Sequence, residues 1–153
     1  MPRTRHAQII LLLADGFDEV AVCIALATLR QAGLAVSLVG LRSRRVKGAQ
    51  GLVIVPDTSL DRLLETPSPI LTLILPGKTG YLARLRPDPR VGTLLRQCIA
   101  EKAIVVSLED QAIDLFVDLA EMKEIIVKII KPDAGMPLAE FARILAQQLG
   151  ELQ

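Results

Sequence analysis

A chain of 153 residues with 51% hydrophobic side chains and a net charge of +1 has the size of one ordinary globular domain, and its charge balance gives no global attraction for nucleic acid or an anionic membrane. One Tyr, three Phe and no Trp leave the core to Leu, Ile, Val and Ala. The apolar runs Ala7 to Ala14 and Val20 to Leu29 stop far short of the roughly 18 to 20 residues that a membrane span requires, so no membrane partner is expected and both read as core elements.

The N-terminal Met1-Pro2-Arg3-Thr4-Arg5-His6 is basic, but the apolar run behind it ends at Asp15 without a small-residue cleavage site. That argues against a secretory leader and for a cytoplasmic location. Gln8 to Leu13 is a continuous apolar run, the pattern of a strand buried on both faces. A helix follows from Asp18 to Gln31 and stops at Gly33. Its residues Val20, Ala21, Cys23, Ile24, Ala27 and Thr28 are apolar around more of the circumference than one buried stripe needs, which predicts a subunit interface there.

Ala35 to Gly40 and Leu52 to Val55 read as further strands, and Ser59 to Glu65 as a short helix before Pro67 and Pro69. Between those strands lies the densest basic run, Arg42, Arg44, Arg45 and Lys47. It reads as a solvated loop face, because the sequence offers it neither aromatic neighbours nor a second basic stripe, and no nucleic-acid partner is expected. Strands are predicted at Ile70 to Leu75, Ala103 to Ser107 and Ile125 to Ile130. Helices are predicted at Pro89 to Lys102 with Asp88 as the cap, at Asp110 to Met122, and at Pro137 to Leu149 ending at Gly150. Cys23 and Cys98 fall on predicted helices among apolar neighbours and read as buried free thiols, since no Cys-x-x-Cys or histidine partner accompanies them.

Strands alternating with helical crossovers predict an α/β chain folded as a doubly wound, flavodoxin-like three-layer sandwich with a mainly parallel sheet, in a single domain across residues 1–153. In such sheets a ligand is expected beyond the carboxyl ends of the strands. That selects the loops Ala14 to Asp18, Leu41 to Gly48, Pro76 to Gly80 and Leu108 to Gln111.

Several segments at or near these loops carry a resemblance. Ala14-Asp15-Gly16-Phe17-Asp18-Glu19, Leu29-Arg30-Gln31-Ala32-Gly33 with Val36 to Gly40, Val55-Pro56-Asp57-Thr58-Ser59-Leu60, Leu75-Pro76-Gly77 and Leu85-Arg86-Pro87-Asp88-Pro89-Arg90-Val91 stand in order at spacings that resemble the ThiJ/PfpI family of the class I glutamine amidotransferase-like superfamily. The resemblance runs from about Gln8 to Ser107 and resumes at Ala134 to Leu149. It implies a flavodoxin-like fold and, commonly, a homodimer.

What the resemblance implies about chemistry is carried residue by residue. Active members place a cysteine on the turn after the strand matching Ala103 to Ser107, activated at the following helix N-terminus; Glu109 stands there. The family's helper glutamate on the first helix corresponds to Ala21, with Asp18 and Glu19 one turn early and suited to the helix dipole. The second glycine of the family's Pro-Gly-Gly turn corresponds to Lys78, after Gly77. The family histidine has no counterpart, since His6 precedes the first strand, and the extra strands that carry it are missing.

The expected site is therefore a vestigial pocket of Glu109, Asp110, Lys78, Gly77, Asp15 and Ala21, with no cofactor and no metal. Ser107 and Asp110 also read as a helix-start signal, and Asp15, Glu109 and Asp110 as an acidic cluster for a divalent cation. Lys78 paired with Glu109 is the simplest use of both substitutions. Two functions follow. The chain is a catalytically degenerate binding or interaction module with an unknown small-molecule ligand, or a hydrolase-, deglycase- or amidotransferase-like enzyme that uses the carboxylates in place of the cysteine.

Overall fold

Two strongly apolar runs of the sequence, Gln8–Leu13 and Ile70–Leu75, lie side by side and parallel at the centre of one sheet. The computed structural model describes residues 7–42, 44–66, 68–107, 129–130 and 132–152, with the backbone alone at 79, 129 and 130. In chain order the elements are β1 (Gln8–Leu13), α1 (Glu19–Gln31), β2 (Val36–Gly40), β3 (Val46–Lys47), β4 (Val53–Ile54), β5 (Thr58–Ser59), α2 (Leu60–Glu65), β6 (Ile70–Leu75), α3 (Thr79–Leu85), α4 (Pro89–Ala100), β7 (Ile104–Ser107), β8 (Ile129–Ile130) and α5 (Leu138–Leu152).

Six strands join in the order β5-β2-β1-β6-β7-β8, every pair parallel. Ile9 to Leu13 have no solvent exposure, as expected of a central strand covered on both faces. Helices α1 and α5 pack on each other, as do α2 and α4, giving the flavodoxin-like three-layer arrangement expected from the sequence. From β1 the chain first moves outward through β2 to β5, then returns to the other side of β1 at β6. The strand order thus reverses between β1 and β6, and a crevice opens at their carboxyl ends.

Capping residues set the helix starts. Asp18 accepts from the Ala21 N–H at 3.0 Å, Ser59 from the Arg62 N–H at 3.4 Å, and Asp88 from the Arg90 N–H at 3.0 Å, with Pro89 at the first position of α4. The first helix accordingly begins at Glu19 with Asp18 as its cap, and α4 ends at Ala100.

Several expectations change. Leu52 to Val55 does not enter the main sheet: Val53–Ile54 pairs antiparallel with Val46–Lys47 as a separate hairpin. The edge position goes to Thr58–Ser59 instead, beside which the Asp57 N–H donates to the Leu38 carbonyl and the Leu38 N–H donates to the Asp57 carboxylate, both at 2.8 Å. The stretch after Pro76 and Gly77 turns into α3 within two residues. Cys98 is buried as expected, but Cys23 is exposed, because α1 buries Ala21, Val22 and Leu29 and turns Cys23 away from them. The predicted helix at Asp110 to Met122 lies outside the described residues, and of the predicted strand at Ile125 to Ile130 only Ile129–Ile130 lies within them.

Candidate functional site

The loop after β1 is built around Gly16, whose φ of +87° is a conformation that glycine adopts without the penalty other residues meet. There the Gly16 N–H donates to the Lys47 carbonyl at 2.8 Å, and the Lys47 N–H donates back to the Asp15 carboxylate at 3.1 Å. One turn on, the Glu19 carboxylate accepts from the Gln50 N–H at 2.7 Å and the Leu52 N–H at 3.2 Å. Desolvation pushes the Glu19 carboxyl up, but the Leu52 and Gln50 N–H donors outweigh it and hold the carboxyl below its ordinary range. Both acids therefore act on the β3–β4 hairpin, and Glu19 is a tether as well as a favourable charge at the start of α1.

Tyr81 on α3 closes the crevice between β1 and β6. Its side chain is 1% exposed, and its hydroxyl donates to the Leu12 carbonyl at 2.6 Å. Burial pushes the phenol well above its ordinary range, so it stays a donor. The ring lies so close to Gly77 that a Cβ on that residue would overlap it. Gly77 is thus demanded by packing against Tyr81, and Lys78 caps α3 by backbone position alone, its side chain exposed.

Two cavities flank this closure. A void of about 20 Å³ lies between α1 and α5 at the ends of β6 and β7, and the described residues that line it, which include Ala21, Pro76, Val106, Leu138 and Phe141, are all apolar. Such a space has no polar partners for a water. The second is an open cleft of about 650 Å³ beyond the ends of β1 and β2. Leu13, Ala14 and Leu41 belong to its apolar lining, Asp15, Arg42, Arg44, Arg45 and Val46 frame one side, and Arg84 on α3 with Pro87 to Arg90 frames the other.

Arg90 is fixed in that wall. It donates to both Asp88 oxygens, at 3.0 and 2.7 Å, and meets Asp61 on α2 at 3.1 Å. The Arg90 guanidinium holds the Asp88 carboxyl below its usual range against the opposing effect of partial burial, and the charge of Arg42 adds to it.

The expected pocket residues are dispersed by the fold. Asp15 lines the arginine cleft, Ala21 is buried at the apolar void, Gly77 lies under Tyr81 and Lys78 faces solvent. Glu109 and Asp110 lie outside the described residues, and with them the acidic cluster and the Lys78 pairing. Among the described residues no group of three or more His, Cys, Asp or Glu is placed to hold a metal ion. The basic run is not the isolated face expected: Arg84 and Arg90, some forty residues later, supply its second basic stripe. Tyr81 and Arg84 escape a sequence reading because Gly77 and Gly80 mark their segment as a loop.

The architecture and the sequence were compared with known proteins. Drosophila melanogaster protein dj-1beta is 34% identical over 88 residues, covering 57% of this chain and 46% of that protein, so the chain spans about half the length of the curated relative it matches. Among solved structures, that of Drosophila DJ-1beta aligns with a TM-score of 0.74 at 22% identity over 94% of this chain and 90% of its own. A DJ-1 superfamily protein of Salmonella typhimurium aligns with a TM-score of 0.74 at 20% identity, covering 95% and 91% of the two chains. Toxoplasma gondii DJ-1 gives 0.70 at 16% identity, covering 96% and 97%. These likenesses share the fold, and the DJ-1/PfpI family matches the sequence itself over residues 7–109, more than half of its length. With those segments in register and the fold in common, this chain belongs to the DJ-1/PfpI family.

Proposed function

We propose that this chain is a non-catalytic member of its family, a binding or interaction module that retains the fold and carries an altered pocket at the strand ends. The observation that supports it is the position of the two thiols. Cys98 sits on α4, where burial, and then the charge of Glu101, push its thiol up to about 12. A nucleophilic cysteine must be exposed and deprotonated, and Cys98 is neither. Cys23 is exposed but lies on α1, and the chain's one histidine, His6, precedes β1. The turn after β7, where an active member carries its nucleophile, reads Leu108-Glu109-Asp110.

The environment of Ala21 supports the same reading. At that position on α1 the family's chemistry calls for a carboxylate, and the described residues around Ala21 are all apolar. Asp15, Ala21, Gly77, Lys78, Glu109 and Asp110 remain on this reading the remnant of a pocket, with no catalytic role and no cofactor or metal to hold. A broad hydrolase and glyoxalase activity screen, run beside a Glu109→Gln variant, tests it. No turnover by either protein is the expected result; turnover that disappears in the variant overturns it.

The module is further proposed to act as a cytoplasmic homodimer. Val20 is 63% exposed on α1 and Val55 67% exposed after β4, with Leu52 and Val53 exposed beside them, and the Glu19 tether holds the hairpin against α1. An apolar surface of this kind, contributed by two elements in contact, suits a second copy of the same face. Among the described residues no helix is long and apolar enough to cross a membrane. Light scattering at two protein concentrations should give twice the chain mass for the parent and the chain mass for Val20→Glu.

A further inference from the structure

We propose that the cleft between the loop after β2 and the α3–α4 connection binds a small polyphosphate, a ligand with two or more linked phosphoryl groups. The proposal rests on the reading of this chain as a binding module and names its ligand class.

The first support is charge. Five arginines line the cleft, Arg42, Arg44, Arg45, Arg84 and Arg90, against two aspartates. Asp88 is already engaged by Arg90, and the Asp15 carboxylate accepts from the Lys47 N–H. Arg42, Arg44, Arg45 and Arg84 are exposed, and none has a carboxylate within salt-bridge distance among the described residues. Guanidinium groups gathered from two segments repel one another, and a multivalent anion between them converts that repulsion into attraction.

The second is the kind of cation. All five are arginine, and Lys47, in the same basic run, is not in the lining. A guanidinium presents a planar fork of donors that grips two oxygens of one phosphoryl group, whereas an ammonium acts as a point charge.

The third is shape and place. About 650 Å³ falls within the size of small-molecule sites, and the cleft opens at the strand ends beside the reversal in strand order, where doubly wound sheets bind ligands. Leu13, Ala14, Leu41 and Pro87 give it an apolar part against which the rest of an organic phosphate can lie. Among the described residues no aromatic side chain lines it, so they offer no stacking platform for the bases of a nucleic acid.

The test is calorimetric titration with inorganic tripolyphosphate and, separately, with ATP without added metal. The variants are Arg44→Gln/Arg84→Gln and, as a control of equal net charge, Arg96→Gln/Arg143→Gln, which alters exposed arginines outside the cleft. Circular dichroism confirms that each variant is folded. The cleft pair should weaken binding by about tenfold or more, the control pair by no more than about twofold, and raising salt from about 50 to about 250 mM should weaken the parent. Equal affinity for the two probes would assign recognition to the phosphate chain alone. Tighter ATP binding would add the apolar part; both results support the site. Absence of binding by either probe, equal weakening in both variant pairs, or tighter binding of a short single-stranded RNA than of either probe would overturn it. Those failures leave the non-catalytic reading intact, because turnover in the activity screen decides that reading separately.

Discussion

The two cavities at the carboxyl end of the sheet differ in size, polarity and access to solvent, although both lie close to the ends of the central strands. On the α1–α5 side, Ala21, Pro76, Val106 and Phe141 enclose a void too small and too apolar to host a charged group. Beyond β1 and β2, arginines surround a cleft large enough for a ligand and wet enough to leave most of them exposed. A reacting group needs fixed polar partners in a dry site, and a bound polyanion needs accessible cations. The void offers the dryness without the partners, and the cleft offers the cations without a nucleophile. Binding and catalysis thus make opposite demands on the same end of the sheet, and the proposed role as a binding module asks this chain to meet only the first.

The closure over the strand ends gives the largest expected effect. Tyr81→Ala removes a fully buried ring and the donor to the Leu12 carbonyl, and should cost about 4 kcal/mol by chemical denaturation. A loss under about 1 kcal/mol would mean that this ring and its bond to Leu12 do not anchor α3 over the strand ends.

Ala21→Glu restores a carboxylate to the apolar side and should cost about 3 kcal/mol at neutral pH. Burial among apolar residues would raise that glutamate's pKa in the folded state above its unfolded value. The penalty is therefore largest above the raised value and shrinks as pH falls toward the unfolded one, where both states are protonated. Unchanged stability at neutral pH would show that the void accepts a charge, and the contrast with the cleft would fail.

Thr72→Val acts in the sheet beneath both regions. Thr72 lies in β6 between Ile9 and Ile104, unexposed, and its hydroxyl has no hydrogen-bond partner among the described residues. Exchanging it for a methyl should raise stability by about 1 kcal/mol in a urea titration. A loss of stability would reveal a polar partner for that oxygen.

The smallest effect is local and pH-driven. Because the folded Glu19 carboxyl lies below its ordinary range, its tether contributes fully above the unfolded pKa and is lost as pH falls through the depressed folded value. Hydrogen exchange at the Gln50 and Leu52 amides should stay slow through the ordinary carboxylate range and quicken below it, while β1 amides remain protected. Quickening already at neutral pH would remove Glu19 as the tether.

The residues that made the fold legible are those whose local pattern agrees with their packing. Continuous apolar runs identify β1, β6 and β7, and Asp88 before Pro89 announces α4. Thr58–Ser59 could not be found this way: it is a polar two-residue strand, placed by the reciprocal bonds between Asp57 and Leu38 rather than by its own propensity. The hairpin at Val46 to Ile54 looked like a sheet strand for the opposite reason, since Leu52, Val53 and Val55 are apolar yet exposed. The segments shared with the family were legible as motifs, and those described serve largely as caps, turns and closures. Arg42 to Arg45 was visible as a charge run, but its meeting with Arg84 and Arg90 arises only when α3 and α4 fold back over the strand ends. Asp15 and Ala21 are six residues apart in sequence and line separate cavities, because the turn at Gly16 and the start of α1 send them to different sides.

A hairpin with two-residue strands has too little ladder to hold its own position. Its freedom is instead limited like that of a hinged flap pinned at one end by the Asp15 and Gly16 bonds to Lys47 and at the other by Glu19 together with the Ala49 N–H bond to the Phe17 carbonyl. Releasing the first pin frees the flap's edge beside the arginine loop, and releasing the second frees its tip beside α1. A change at Glu19, which is not in the cleft lining, therefore alters how far the flap can swing without altering the charge that a ligand would meet, whereas neutralising Asp15 alters both.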